Sequence, residues 1–261
     1  MSQPGGSRLW LIGGTRESAE LARAIANRQL PCLITVTTPA AQSLYPDSAF
    51  LEVRVGRLGE ATIGSFLQQA QVSHILDASH PFASAISALA IAAAERWQLP
   101  YLRYQRPELA PPQSPQVVLT SLESLLSSDL LSQQRVLLTL GYRWLHQFQP
   151  WHGQSQLYAR ILPSPEALAA AIAAGFTAKT LIALRPPLSL ELEKALWQQW
   201  QITTVVTKAS GKAGGEDIKR QLAEQLRVRL ILIERPAVNY PQQTSNIAIA
   251  LRFCQNPTPH I

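Results

Sequence analysis

Short apolar runs alternate along the chain with segments whose apolar residues recur at helical spacing. The run from Arg8 to Gly13 stops at a glycine and predicts a buried strand, and Glu17 to Arg28 follows as an amphipathic helix. This alternation is typical of an α/β fold with mostly parallel sheets and helices on both faces. Further strands are predicted at Cys32–Val36, Glu52–Val55, His74–Asp77, Tyr101–Arg103, Val136–Leu140, Leu157–Ile161, Thr180–Leu184, Thr203–Thr207 and Arg229–Ile233. Further helices are predicted at Ala61–Gln69, Ser84–Trp97, Pro165–Ala174, Leu188–Trp200 and Glu216–Leu226.

The segment from Arg106 to Gln116 interrupts this alternation. It holds four prolines in eleven residues, and proline sustains neither a helix nor a central strand. We therefore expect two domains, 1–107 and 108–261, each of which opens with a strand that runs into glycine. Because ligands of such sheets lie beyond the carboxyl ends of the strands, the expected site is a cleft between the two halves.

Composition narrows the class of protein. Hydrophobic residues make up 46% of the 261 residues and charged residues 15%, which excludes a disordered chain. No apolar stretch approaches the roughly 20 residues of a membrane span, and the first residues lack the pattern of a secretory signal. The two cysteines, Cys32 and Cys254, have no metal-ligand spacing, so we expect no disulfide framework, no metal site and a reducing, cytoplasmic location.

The charge balance points to an anionic ligand. The net charge is +6, and arginine outnumbers lysine by 18 to 5. Guanidinium groups bind carboxylates and phosphates through paired hydrogen bonds. Because the arginines are scattered and no helix-turn-helix, zinc-finger or RNA-recognition signature accompanies them, we expect a small polyanion rather than nucleic acid or a membrane.

The connection between the first predicted strand and helix consists of Gly13, Gly14, Thr15 and Arg16. Unpaired N–H groups and the helix dipole suit such a helix start to phosphate, and glycine permits close approach. The full dinucleotide fingerprint is absent, so a plain turn with Thr15 as N-cap is the alternative. The second strand is followed by Thr37 and Thr38 rather than by an acidic residue, which favours a 2′-phosphorylated dinucleotide over NAD.

A dense group of polar residues follows the strand that ends at Asp77. Asp77, Ser79, His80 and Pro81 precede the long helix from Ser84, at the edge of the sheet where ligands bind, and we expect them to contact the cofactor. The unperturbed pKa of a histidine is near 6.5, so His80 is also a candidate proton donor. The alternative is a helix-capping arrangement with His80 on the surface.

Three further groups are candidates for substrate binding. Tyr101 and Arg103 precede the proline-rich segment, and Arg106 begins it. The three suit a carboxylate clamp, and the alternative is a solvated edge with tyrosines in the core. The second group is the glycine-rich loop after the predicted strand Thr203–Thr207. Such loops form anion-binding nests, and lysine adds positive charge; the alternative is a flexible linker. The loop residues are Lys208, which is also a candidate catalytic residue, Ser210, Gly211, Gly214 and Gly215. The turn at Gly141, Tyr142 and Arg143 is a similar anion-binding candidate, with a plain turn as the alternative.

Four segments, LIGGTRESAELA, DASHPFA, PYLRYQRP and TKASGKAGG, occur in this order. Together they resemble the precorrin-6A reductases of cobalamin biosynthesis, including the cobalt-precorrin-6A reductases. The resemblance implies two Rossmann-like domains and hydride transfer from NADPH, with NADH as the alternative, to one double bond of an anionic tetrapyrrole. It matches family motifs to Gly13–Thr15, to Asp77–Ala83 and to the loop from Lys208 to Gly215.

Two other classes of protein stay open. One is a regulator that binds NADP without catalysis. The other is a short-chain-type oxidoreductase, although its Tyr-x-x-x-Lys spacing is absent. The sequence does not distinguish a cobalt-free from a cobalt-containing substrate, and we expect a monomer or a weak homo-oligomer.

Overall fold

The structure is a computed structural model that describes residues 7–107, 109 and 116–257. The chain divides into two compact units: the first takes the residues up to Pro107 and again from Ala237 onwards, and the second takes those between. The strands, in chain order, are β1 (Arg8–Ile12), β2 (Cys32–Val36), β3 (Leu51–Val55), β4 (Val72–Asp77), β5 (Tyr101–Tyr104), β6 (Val117–Leu119), β7 (Arg135–Leu138), β8 (Gln156–Ile161), β9 (Leu181–Ala183), β10 (Thr204–Lys208), β11 (Arg229–Ile233) and β12 (Gln243–Thr244).

Helices connect most of these strands. They are α1 (Arg16–Asn27), α2 (Pro39–Gln42), α3 (Glu60–Gln69), α4 (Ser84–Trp97), α5 (Leu122–Leu126), α6 (Pro165–Ala173), α7 (Leu190–Gln199), α8 (Glu216–Leu226) and α9 (Ile247–Gln255), with 3₁₀ segments at Asp129–Leu131, Tyr142–Gly153 and Lys212–Gly214. No helix among the described residues combines the length and the apolar character that crossing a membrane requires.

The first unit contains a parallel sheet in the order β3-β2-β1-β4-β5-β12. Alternate residues of β1 enter different cores because side chains alternate across a strand. Leu9 and Leu11 pack with α1 and α9, whereas Trp10 and Ile12 pack with α3 and α4. Covered on both faces, β1 and β2 are almost continuously apolar, as expected for the centre of a parallel sheet.

The second unit contains a parallel sheet in the order β9-β8-β7-β10-β11-β6. Its first five places repeat the order found in the first unit, with β7 in the place of β1 and β10 in the place of β4. Part of its core lies between the sheet and α7 and α8, where Trp197 and Leu222 pack against Leu137 and Val205. Both units are therefore Rossmann-like, which confirms the predicted α/β class.

The predicted extent of the second domain, 108–261, is wrong at its C-terminal end. Residues from Ala237 onwards join the first unit. Gln243 and Thr244 of β12 pair with β5, and α9 contacts α1, β4 and β5. The reason is apolar burial, because Ala250, Leu251 and Phe253 of α9 pack in the same buried cluster as the apolar residues of α1.

Candidate functional site

In each sheet the strand order reverses at one place, so that the chain continues from the two neighbouring strands there towards opposite edges of the sheet. In the first unit this place lies between β1 and β4, and in the second between β7 and β10. Ligands of open α/β sheets bind at the carboxyl ends of the strands at such a switch point. Every segment that the sequence analysis selected after β1, β4, β7 and β10 therefore lies at a switch point.

The turn after β1 is held by hydrogen bonds within the protein. The Gly13 N–H donates to the Thr35 carbonyl oxygen (2.9 Å) and the Gly14 N–H to the Tyr45 hydroxyl (2.7 Å). The Thr15 N–H donates to the Ser18 hydroxyl (3.0 Å) in a capping box. These three N–H groups are thus engaged, and the Ser18 N–H donates to the Thr15 hydroxyl (3.0 Å). The N–H groups that α1 can offer to an anion are therefore those of Arg16 and Glu17.

The same turn nevertheless leaves room for a ligand at one position. Gly14 has φ +97°, which favours glycine, and a Cβ atom placed on it would meet nothing within 4 Å. Arg16, at the start of α1, is exposed. Thr15 ties this turn to the one after β4, because its hydroxyl donates to the Ala78 carbonyl oxygen (2.9 Å).

Asp77, at the end of β4, is fully buried and serves as a hub. Its Oδ1 accepts from the Ser79 N–H (2.9 Å) and from Arg103 Nη1 (2.8 Å). Its Oδ2 accepts from the hydroxyls of Ser87 (2.6 Å) and Tyr101 (2.8 Å). Burial, followed by the nearby Asp77 charge, raises the pKa of Tyr101, which therefore stays a neutral donor.

This hub corrects three predictions. Asp77, Tyr101 and Arg103 are buried, so they are not placed to touch a cofactor or substrate directly. The Arg103 guanidinium donates four hydrogen bonds within the protein. They go to the Asp77 carboxylate, to the hydroxyl and the carbonyl oxygen of Ser79, and to the side-chain oxygen of Gln105. Dense polar groups after a strand had suggested a ligand, but here they satisfy one another.

His80 and Pro81 follow the hub. His80 is exposed, and its Nδ1 accepts from the Phe82 N–H (3.2 Å), so a neutral His80 ring carries its proton on Nε2. Pro81 is buried in a turn and does not begin the helix, because α4 starts only at Ser84.

Two predicted residues lie beyond β2. Thr37 is exposed, and Thr38 is the N-cap residue of α2, where its hydroxyl makes no capping hydrogen bond. Arg106, predicted as part of the clamp, forms a half-buried ion pair with Glu17 in the first turn of α1 (Nη2 to Oε2, 2.9 Å). The Glu17 carboxylate thus lies at the positive end of the helix dipole.

Lys208, at the end of β10, lies beside an aromatic ring. Its Nζ is 4.0 Å from the centre of the Trp144 ring, a cation–π contact. Burial, and secondarily the nearby Arg143 guanidinium, lowers the pKa of Lys208 to about 8. Gly141 has φ +82°, and the hydroxyl of Tyr142 donates to Glu166 (2.6 Å). The structure therefore brings Lys208 together with the turn after β7, as the shared switch point requires.

The glycine-rich loop after β10 is locked from inside. The Gly211 N–H donates to the Glu216 carboxylate (2.7 Å), and the Gly214 and Gly215 N–H groups donate to carbonyl oxygens of the loop. A Cβ on Gly214 would lie 1.9 Å from the Ser210 hydroxyl oxygen, so no other residue fits there. The anion that the Gly211 N–H binds is thus the Glu216 carboxylate of the protein itself, and the loop N–H groups predicted to bind a substrate anion are engaged within the protein.

A buried lysine supports this loop from below. Lys219 Nζ donates to the carbonyl oxygens of Gly214 (3.0 Å) and Gly215 (3.1 Å). Burial, followed by the nearby Arg160 charge, lowers the pKa of Lys219 to about 8. A carboxylate and an ammonium group thus hold the two ends of the loop.

Sequence reasoning missed Tyr45, Glu17, Glu216 and Lys219. Each is distant in sequence from the glycine or strand end that it holds, or lies on a helix where a charged residue is ordinary. Tyr45 left one signal: two large apolar residues, Leu44 and Tyr45, stand side by side in the connection after the second predicted strand, which is typical of a loop that packs on the core. Among the described residues no cluster of three or more histidine, cysteine or acidic side chains could hold a metal.

Comparisons with known proteins agree with each other. A family model described as "Precorrin-6x reductase CbiJ/CobK" matches residues 8–255. A cobalt-precorrin-6A reductase of Synechocystis sp. is 47% identical over 253 residues, which cover 96% of this chain and 97% of that protein. A precorrin-6A reductase of Rhodobacter capsulatus is 30% identical over 240 residues, or 89% of each chain. The solved structure of CobK precorrin-6A reductase has the same fold, with a TM-score of 0.78 at 24% identity over 98% of this chain and 99% of that one.

Proposed function

The chain belongs to the precorrin-6x reductase CbiJ/CobK family, and we propose that it reduces cobalt-precorrin-6A with NADPH as the electron donor. The Synechocystis relative is named a cobalt-precorrin-6A reductase, which supports the cobalt form, with the cobalt-free macrocycle as the alternative. The observation that carries the nucleotide part of the proposal is the strand order of the first unit, whose switch point lies at the start of α1.

The residues at this switch point fit a phosphorylated dinucleotide. The open Gly14 backbone, the exposed Arg16 side chain and the N-terminus of α1 suit the pyrophosphate. Thr37 and Thr38 follow β2, where a dinucleotide enzyme that uses NAD would carry an acidic residue for the ribose 2′-hydroxyl. Hydroxyl donors at that position favour the 2′-phosphate of NADPH, and NADH is the alternative.

The second unit supplies positive charge for an anionic tetrapyrrole. Lys208 and Arg143 lie at one switch point, and Lys212 is exposed on the adjoining loop. These cations would hold carboxylates through charge-assisted hydrogen bonds. Trp144 and Tyr142 offer aromatic surface for the ring beside them.

Bound NADPH would supply a hydride to one carbon of a macrocycle double bond and leave as NADP. The neighbouring carbon then takes a proton, and we assign its donation to the protonated, imidazolium form of His80, which returns to the neutral ring in the same step. Lys208 is the second candidate donor, because at its pKa of about 8 it exchanges a proton readily near neutral pH. The remaining contribution of the chain is orientation of the two reactants.

The test is anaerobic incubation of the enzyme with NADPH and either cobalt-precorrin-6A or precorrin-6A. We expect the dihydronicotinamide absorbance to fall as the macrocycle bands change, one equivalent for one, with the cobalt form faster. An enzyme that binds NADPH but leaves the macrocycle spectrum unchanged would refute catalysis. Replacing His80 by Asn should slow turnover without weakening NADPH binding, whereas an unchanged rate would transfer the proton to Lys208 or water.

A further inference from the structure

The second unit has a cavity at the amino ends of its strands. The cavity measures about 560 Å³, a volume typical of small-molecule sites. Gln116, Arg229, Thr203 and Gln134 line it, and they precede or begin β6, β11, β10 and β7, four neighbouring strands of the sheet. The second switch point lies at the carboxyl ends of β7 and β10, so the cavity is distinct from the candidate site described above. Because β10 has five residues, roughly 15 Å separate the two places.

One polar atom at this cavity lacks a hydrogen-bond partner. Gln116 Oε1 is buried, and no group of the described residues donates to it. The second amide at the cavity differs, because Gln134 Oε1 accepts from the hydroxyls of Thr203 (2.9 Å) and Thr204 (3.4 Å). Buried polar atoms are nearly always hydrogen-bonded, since losing water without a replacement costs free energy. Gln116 Oε1 therefore requires a donor from outside the chain.

Two exposed arginines, Arg227 and Arg229, supply positive charge at the same cavity. Neither forms an ion pair with a residue that the structure describes. Arg229 Nη1 donates to the Leu130 carbonyl oxygen (3.2 Å), so the guanidinium is held by one nitrogen and can still donate from the others. The two guanidinium groups outweigh the carboxylate of Glu224, which also lines the cavity, and the cavity therefore favours an anion.

The charges and the unpartnered oxygen together define the chemistry of the ligand. Each guanidinium can hold one carboxylate through paired hydrogen bonds, so a molecule with two carboxylates uses both arginines. A hydroxyl or amino group on the same molecule would donate to Gln116 Oε1. A molecule that has the two carboxylates alone would leave Gln116 Oε1 without a donor.

We propose that the second unit binds, at this cavity, a small dicarboxylate that carries a hydroxyl or amino donor. The ligand occupies a place remote from the reacting groups, because no residue of the cavity belongs to a switch point. It therefore binds without competing with the nucleotide or the tetrapyrrole. This site is independent of the proposed reduction, which uses the opposite ends of the strands.

The experiment compares three dicarboxylates that differ in a single group. Malate carries a hydroxyl group, aspartate carries an amino group and succinate carries neither. Isothermal titration calorimetry of the full chain at low ionic strength measures the three dissociation constants. We expect malate or aspartate to bind roughly three- to tenfold more tightly than succinate, the usual contribution of one hydrogen bond. Amide hydrogen exchange locates the ligand, and we expect slower exchange in peptides that cover residues 223–229.

Four variants assign the contacts. Gln116→Leu removes the acceptor at similar side-chain volume, so malate and aspartate should fall to the affinity of succinate. Arg227→Gln should weaken all three ligands by roughly two- to fivefold, the range of an exposed ion pair. Glu224→Gln removes the opposing carboxylate and should tighten the binding of malate and succinate. The matched control is Arg185→Gln, an exposed arginine of the second unit outside the cavity, which should change none of the affinities.

Three results would overturn the proposal. Equal affinities of the wild-type chain for the three dicarboxylates would show that no ligand donates to Gln116 Oε1. A loss of binding in Lys208→Met but not in Arg227→Gln would place the dicarboxylate at the second switch point. Binding of none of the three at millimolar concentration would show that the cavity holds water only. None of these results bears on the proposed reduction, which the macrocycle assay tests separately.

Discussion

Replacing Arg103 by Met tests whether the buried hub around Asp77 is internal structure or part of the substrate site. The guanidinium is fully buried and forms an ion pair with a carboxylate that is itself 0% exposed, at 2.8 Å. Met keeps much of the stem volume but leaves the carboxylate without its cation. Removing one partner of a buried ion pair costs about 3–5 kcal/mol, because the remaining charge stays desolvated. We expect a loss of that size in the free energy of unfolding of the first unit.

Amide hydrogen exchange of peptides from β4 and β5 measures this loss for the first unit separately. Asp77→Asn combined with Arg103→Met should recover part of it, since the unpaired charge is gone. The substrate KM should show no added salt dependence, because salt screens exposed charges and hardly affects buried ones. A loss below about 1 kcal/mol, together with a KM that rises with salt, would show that Arg103 reaches the substrate and that the hub is misassigned.

Three shorter predictions follow. Gly13→Ala should destabilise the first unit by about 1–3 kcal/mol, because the added Cβ atom would displace the Tyr45 hydroxyl. Thermal unfolding measures this loss, and the control is Gly59→Ala, whose added Cβ atom would have no neighbour within 4 Å. If turnover requires protonated Lys208, the rate should fall as the pH rises through about 8, and Lys208→Arg should remove that alkaline limb; an unchanged profile refutes the requirement. Because the pKa of Lys219 is lowered to about 8, the unfolded chain binds more protons than the folded chain above that pH. The free energy of unfolding of wild type should therefore rise by up to about 3 kcal/mol relative to that of Lys219→Met between pH 8 and the ordinary lysine pKa. Urea titrations at several pH values measure this difference, and a difference that stays constant refutes the prediction.

Most long elements could be predicted from the sequence because their apolar spacing is set by burial on a sheet. Cys32–Val36, Ser84–Trp97 and Arg229–Ile233 have the predicted bounds. The missed elements are short or depend on distant partners. β12 has two polar residues, Gln243 and Thr244, and becomes a strand only because β5 offers an unpaired edge. The 3₁₀ segment from Tyr142 to Gly153 contains Pro150, and its buried residues Leu145, Phe148 and Trp151 recur every three residues rather than at the α-helical spacing.

The location of the candidate site could be predicted more readily than its internal contacts. Glycines and polar residues at strand ends mark the switch points, because that is where a parallel sheet turns into helices. Which N–H groups are free there cannot be read locally. Gly14 is bonded by a hydroxyl 31 residues away, and Asp77 by a guanidinium 26 residues away. Polar density alone therefore did not distinguish groups that meet a ligand from groups that satisfy one another.

The two switch points differ in the charge that each strand end presents. Asp77 ends β4 and Lys208 ends β10, the strands that hold the same place in the two sheets. The charge of Asp77 is matched inside the protein by Arg103, so the first switch point presents the positive end of α1 and the exposed Arg16 side chain. Lys208 lies against Trp144 and near a second cation, Arg143, which keeps the second switch point positive. If NADPH and an anionic tetrapyrrole are the two reactants, as proposed above, each needs a positive site. The chain would meet that requirement by neutralising the acidic end of β4 while keeping the basic end of β10.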